Sequence, residues 1–110
     1  MISVSFGCPY EGEVPEERVL GIARRLVDAG CEEIGFGDTT GMANPAQVRQ
    51  FFEEAELDAE LTAHFHNTRG QGLANVLGAL EHRDRFDEVN LFLSASETHN
   101  QKNVNRSVEE

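Results

Sequence analysis

Two histidines one residue apart, His64 and His66, are the residues whose spacing points most directly to chemistry. They lie in the stretch LTAHFHNT, whose alternating pattern is typical of a strand. Because successive side chains of a strand point to opposite faces, both imidazoles would lie on one face and Phe65 on the other. Imidazole is a common ligand of divalent transition metals, so the pair is a candidate metal site.

The alternative is that both histidines are hydrogen-bonded residues on a partly wet face of a sheet, and the short H-x-H pattern leaves both interpretations open. Asp38 ends an earlier strand-like stretch, EIGFGD, and is the nearest candidate carboxylate, although it could equally cap a turn. We interpret Cys8 as a loop thiol rather than a nucleophile, because no histidine adjoins it in sequence. Glu97 and His99 are interpreted as solvated loop residues.

The elements that would position these residues alternate regularly along the chain. Strands are predicted over 2–6, 31–38, 61–68 and 87–96. Helices are predicted over 15–30 and 69–83, and a further helix begins at Pro45 after an Asn44 cap. This order predicts a parallel sheet with right-handed crossovers. In such sheets ligands bind at the carboxyl ends of the strands, and the candidate residues lie in or beside the loops that start there.

We therefore expect an α/β fold: a partial (half) TIM barrel of about four parallel strands alternating with helices, with an open flavodoxin-like sheet as the alternative. The 110 residues are predicted to form a single domain over 1–110. A complete eight-stranded barrel needs roughly 250 residues. A half barrel would expose strand edges and one sheet face, so a homo-oligomer, most simply a dimer, is expected.

Composition narrows the classes of partner. A net charge of −11 argues against nucleic-acid binding, which needs clusters of Lys and Arg. No apolar run approaches the roughly 20 residues of a membrane span, so no membrane association is expected. Two cysteines are too few for a disulfide scaffold, which favours the reducing cytoplasm.

Longer motifs add a resemblance to a known family. The stretches SVSFGCPYEGEV, EIGFGDTTGMANPAQV and AHFHNTRGQGLANVLGAL closely resemble hydroxymethylglutaryl-CoA lyase, a TIM-barrel metallolyase. FGCPYEG is the specific match, whereas GDTTG and HFHNT are shared with related aldolases and acyltransferases. The resemblance implies an acyl-CoA substrate, 3-hydroxy-3-methylglutaryl-CoA, cleaved to acetyl-CoA and acetoacetate with Mg²⁺ or Mn²⁺ as cofactor. It also implies that His64 and His66 are metal ligands and that Asp38 and Thr39 are catalytic residues.

The sequence departs from the family in two respects. The segment SASETHNQKNVNRSVEE comes last here but precedes SVSFGCPYEG in the family, so residues 86–110 are interpreted as displaced. The family's Arg-Asp pair and its late glycine-rich loop with the catalytic cysteine have no match, which leaves half of the protein metal ligands. We therefore expect an impaired or inactive lyase. The alternatives are a non-catalytic engineered or rearranged half-barrel scaffold and a weak metal-binding module.

Overall fold

The computed structural model describes residues 1–82, 84 and 88–92, the last five as backbone. Three helices alternate with three strands in this part of the chain. Their bounds are α1 Glu16–Asp28, β1 Glu33–Asp38, α2 Pro45–Glu54, β2 Glu60–His66, α3 Gly72–Leu80 and β3 Glu88–Phe92. The strands pair in parallel in the order β1-β2-β3. The predicted alternation of helices with parallel strands is therefore confirmed over the described residues.

The strand order bears on the two sheet types that the sequence left open, although a flavodoxin-like sheet also contains a run of sequential strands beside its reversal. Neighbouring strands joined in sequence by crossovers of one hand bring all their helices to the same face of the sheet. A flavodoxin-like sheet instead reverses its strand order, so that helices cover both faces. The order β1-β2-β3 shows no reversal within the described strands, as in the wall of a barrel. In β2, Leu61, Ala63 and Phe65 are buried whereas the alternate residues are half-exposed or exposed. In β1 both faces are buried, and the Met1 side chain lies over Gly35 and Gly37.

The first predicted strand, residues 2–6, is reduced to a single parallel bridge between Ile2 and Phe36. Two backbone hydrogen bonds of 2.7 and 2.9 Å hold Ile2 beside β1. The chain then turns at Val4, whose φ of 50° lies in the left-handed region and is unusual for a β-branched residue. The prediction of a full strand here is wrong, because this turn ends the extended backbone. The described residues thus hold three strands, and the expected count of four is not confirmed.

Local signals at the helix ends act as the sequence predicts. The Asn44 side chain accepts a hydrogen bond from the Gln47 N–H at 3.0 Å, and Pro45 is the first residue of α2. At the end of α1, Gly30 adopts a φ of 98° and its N–H donates to the Val27 carbonyl at 2.9 Å. This left-handed residue stops the helix and directs the chain into β1.

Aromatic side chains form the centre of the core, between the sheet and the helices. The buried rings with centroids 4.8 to 6.1 Å apart belong to Phe6, Phe36, Phe51, Phe52 and Phe65. Each buried side chain of this size contributes roughly 2–3 kcal/mol to folding. These rings come from the first segment, β1, α2 and β2, so the core fixes the two strands whose ends carry the candidate site.

Candidate active site

His64 and His66 lie at the carboxyl end of β2, on the face of the sheet opposite to the phenylalanine core. Both side chains are half-buried, and their ring centroids are 5.1 Å apart with an interplanar angle of 61°. Phe65 between them is fully buried on the core side. The predicted placement of the two imidazoles on one face is therefore confirmed.

Asp38 is the last residue of β1 and is 1% exposed. Its Oδ1 accepts hydrogen bonds from the N–H groups of Met42 and Ala43, at 2.8 and 3.1 Å. Its buried Oδ2 has no hydrogen-bond partner within the described residues. Burial raises the pKa of Asp38, while these two N–H donors and the positive charges of Arg69 and His64 act in the opposite direction. The carboxyl group therefore helps to fold the loop that follows β1.

The strand register separates Asp38 from the histidine pair. Asp38 pairs with Phe65, and Gly37 pairs with His64. Since side chains alternate along a strand, Asp38 lies on the core face whereas the histidines lie on the other. Residues 1–82 and 84 hold no group of three His, Cys, Asp or Glu side chains that would suit a metal ion. The two imidazoles have the donor chemistry for two positions around a divalent metal. Asp38 does not complete the set as the sequence had suggested.

Thr39 follows Asp38 and is exposed at the end of β1. Its Oγ1 accepts a hydrogen bond from the Val4 N–H at 2.8 Å, which links the strained turn of the first segment to the site. Because this contact uses the oxygen as an acceptor, the hydroxyl proton points elsewhere and can donate to another group. Next to it, Thr40 has a buried Oγ1 with no hydrogen-bond partner among the described residues.

Residues 41–43, the end of the loop after β1, are held by side chains from both sides. Arg69 donates from Nε to the Gly41 carbonyl at 3.0 Å and from Nη2 to the Met42 carbonyl. Asn75, fully buried in α3, donates from Nδ2 to the Ala43 carbonyl at 3.1 Å. Together with the Asp38 carboxyl group, these contacts hold the loop after β1 against the turn after β2 and against α3.

The segment that carries all of these residues has known relatives. Residues 1–85 match the model of the HMGL-like family. The chain belongs to the HMGL-like family. The resemblance to hydroxymethylglutaryl-CoA lyase seen in the motifs is thereby confirmed. The match ends next to the start of the segment interpreted as displaced, whose displacement remains a prediction.

Individual members of the HMGL-like family give the same result. A hydroxymethylglutaryl-CoA lyase of Bacillus subtilis is 46% identical over 83 residues, which are 73% of this chain and 28% of the relative. A cytoplasmic 3-hydroxy-3-methylglutaryl-CoA lyase of Homo sapiens is 39% identical over 83 residues, covering 73% of this chain and 22% of the relative. The chain therefore spans less than a third of the length of these relatives.

A solved structure supports the assignment of the fold to the TIM-barrel lyases. A lyase from Acinetobacter baumannii, in complex with coenzyme A and 3-methylmalate, superposes with a TM-score of 0.75 and is 39% identical. The superposition covers 83% of this chain and 30% of the lyase chain. Within the described residues, none of the helices has the length and apolar character needed to cross a membrane.

A cleft of about 760 Å³ lies beside the histidine site rather than in it. Its walls are the loop that precedes α1 and the first turns of α2, with Phe6, Met42, Asn44 and Gln47 among the lining residues. None of the four site residues expected from the sequence lines it. In the HMGL-like segment, therefore, the strand ends that bear the histidines, and not this cleft, are the candidate active site.

Other residues considered for chemistry are accounted for differently. Cys8 and Gly12 exchange two backbone hydrogen bonds of 2.8 Å that close a tight loop. Cys8 is a free, half-buried cysteine within this loop. Glu97 and His99 lie outside the described residues. Sequence reasoning missed Arg69 and Asn75. A lone amide in the apolar helix GLANVLGAL could have pointed to Asn75, whereas no sequence pattern pointed to the contacts of Arg69.

Proposed function

We propose that this chain carries the histidine-bearing part of a hydroxymethylglutaryl-CoA lyase active site. In this proposal the 110-residue chain alone has little or no lyase activity. The observation that carries it is the pair His64 and His66, side by side at a strand end within the segment that matches the family. Cleavage of 3-hydroxy-3-methylglutaryl-CoA to acetyl-CoA and acetoacetate would then be the reaction of the complete barrel.

The cofactor in this proposal is Mg²⁺ or Mn²⁺. When bound, such an ion polarises the acyl oxygens of the substrate and stabilises the enolate that leaves. His64 and His66 are the residues of this chain that would hold it. Because the described residues bring no third ligand to the pair, we expect weak metal binding.

Asp38 and Thr39 have different roles in the proposal. The exposed Thr39 hydroxyl has its oxygen engaged by the Val4 N–H, which leaves its proton to donate to a substrate oxygen. Asp38 is buried and faces the core, so its geometry supports a role in positioning Thr39 and the loop that follows. Asp38 thus acts through the loop rather than by direct contact with the substrate.

The partners proposed for the chain are an acyl-CoA substrate and further copies of itself. The coenzyme A complex of the Acinetobacter baumannii lyase supports the first. A sheet face without a described helix supports the second, since exposed sheet faces and edges favour association. Light scattering should give at least a dimeric mass at micromolar concentration, and a monomeric mass would contradict it. A cytoplasmic location and the absence of nucleic-acid and membrane partners remain predictions.

Metal binding is the most direct test of the proposal. Titration with Mn²⁺, followed by calorimetry and by line broadening of the histidine ring signals, should show binding at micromolar concentrations or weaker. The double variant H64A/H66A should abolish it. The matched control is H82A, because His82 lies after α3, on the side of the sheet where strands begin and not at their carboxyl ends. Unchanged binding in H64A/H66A would refute the assignment of the two histidines as ligands.

Two further outcomes separate lyase ancestry from a pure scaffold. A citrate-synthase-coupled assay should detect no acetyl-CoA release from 3-hydroxy-3-methylglutaryl-CoA above the level seen with H64A/H66A. Robust turnover by the 110-residue chain would contradict the proposed impairment. A stably folded chain that binds neither Mn²⁺ nor Ni²⁺ would favour the alternative, a non-catalytic half-barrel scaffold. The observation in favour of that alternative is the lack of a third metal ligand within the described residues.

A further inference from the structure

Arg69 is placed between the two loops that frame the candidate site. It lies three residues after His66, in the turn that follows β2, and its guanidinium reaches the carbonyls of Gly41 and Met42 in the loop that follows β1. Its charge acts on the Asp38 carboxyl group, which lies at the carboxyl end of β1. Arg69 therefore lies at the same end of the sheet as the histidine pair, although it belongs to neither strand.

The two hydrogen bonds use only one edge of the guanidinium. Nε and Nη2 are directed at the backbone carbonyls, whereas Nη1 and the second N–H of Nη2 contact no carbonyl or carboxylate in the part of the chain that the structure describes. The side chain is exposed, so this outer edge faces solvent. A guanidinium fixed on one edge presents the other as a planar fork whose geometry suits a carboxylate or a phosphate.

Charge makes this fork distinctive. The chain carries a net charge of −11, which disfavours the approach of an anion. Arg18, Arg24 and Arg49 are engaged with glutamates, at 2.6 to 3.1 Å. Arg25 and Arg69 make no such ion pair with another described residue, and of these two only Arg69 lies at the end of the sheet where ligands of this fold class bind.

We propose that Arg69 is a substrate-binding residue whose outer guanidinium edge takes an anionic oxygen group of the acyl-CoA. The identity of that ligand rests on the proposed function. An acyl-CoA of this class offers two sources of the same chemistry, the free carboxylate of the acyl group and the phosphates of coenzyme A. The contacts to Gly41 and Met42 hold the fork in place before the ligand arrives, which lowers the entropic cost of binding.

Binding of two separate probes tests the inference and identifies the source. The anionic groups of 3-hydroxy-3-methylglutarate are all carboxylates, and those of coenzyme A are all phosphates. Each is titrated into the 110-residue chain at low ionic strength and followed by ligand-observed NMR. At least one probe should bind at millimolar concentration or better, and R69Q should weaken that binding by about tenfold or more. R69K should lie between R69Q and the original chain, because it keeps the charge and loses the fork.

The control variants separate charge from loop structure. N75A removes the hydrogen bond to Ala43 and loosens the same loop without changing charge, so it should weaken probe binding by less than R69Q does. R25Q removes a charge from the last turn of α1 and should leave probe binding within about twofold. Circular dichroism confirms that each variant is folded. Equal binding by R69Q and the original chain overturns the inference, and so does the absence of binding by both probes.

The Mn²⁺ titration on the same samples keeps this inference distinct from the proposed function. If Mn²⁺ binds through His64 and His66 while R69Q leaves probe binding unchanged, only the role of Arg69 fails. If Mn²⁺ does not bind while R69Q abolishes probe binding, the metal site fails and the anion site stands.

Discussion

Substitution of Gly41 by alanine tests how closely the two loops of the site must approach. Gly41 has a φ of 70°, and a Cβ placed on it would lie 2.8 Å from the Thr68 Cβ and 3.1 Å from the Thr68 nitrogen. An L-residue in the left-handed region costs about 1–2 kcal/mol. Relief of such a clash in a packed region costs about 1–3 kcal/mol more. The free energy of unfolding of G41A should therefore fall by about 2–5 kcal/mol.

Urea unfolding followed by far-UV circular dichroism measures this loss, and Gly12 provides the matched control. Gly12 also has a positive φ, 80°, but a Cβ there meets nothing within 4 Å. G12A should therefore lose only the conformational part, about 1–2 kcal/mol. The difference between the two variants isolates the contact with Thr68. If G41A costs no more than G12A, the close packing of the two loops is not a feature of the folded protein.

Three further predictions concern the residues around the site. Burial raises the pKa of Asp38, so the protonated carboxyl group contributes stability below its ordinary pKa. This contribution is lost as the pH rises through the raised pKa. Urea titrations across pH 4 to 8 should therefore show a smaller fall in the free energy of unfolding for D38N than for the original chain. Loss of the Asn44 cap in N44A should cost about 1 kcal/mol in the same assay, and N44D should recover most of it. F51A should cost about 3–5 kcal/mol, because Phe51 is fully buried against Phe6, Phe36 and Phe52; a loss below 1 kcal/mol would contradict the observed core.

The features that the sequence predicts well are those set by neighbouring residues. Alternation along LTAHFHNT is enough to place His64 and His66 on one face, because the strand period of two leaves no other arrangement. The Asn44 cap follows equally directly, since its bond to Gln47 spans only three residues. The alternation of helices with parallel strands follows from elements whose own patterns are strong.

The features that the sequence does not predict depend on contacts between distant residues. The segment 2–6 has the composition of a strand, but the left-handed Val4 and its bond to Thr39, 35 residues away, break it. The hydrogen bond from Asn75 to Ala43 crosses 32 residues: the lone amide in GLANVLGAL marks the donor, but no local pattern marks its acceptor. The sequence predicted Asp38 at the end of its strand but not the face of the sheet on which its side chain lies. That face is fixed by the pairing of Asp38 with Phe65 in the neighbouring strand.

The separation of the two faces of the sheet supports the proposal that this chain keeps the fold of its family with little or no lyase activity. The core that makes the fold lies on the helix face, where Phe36 and Phe65 are fully buried. The histidines lie on the other face, where the described residues supply no further metal ligand. Folding of the helix face therefore does not depend on completion of the site. In the function that we propose, the chain retains the fold, the motifs and the two histidines of the family, and the other metal ligands would come from strand ends outside the described part of the chain.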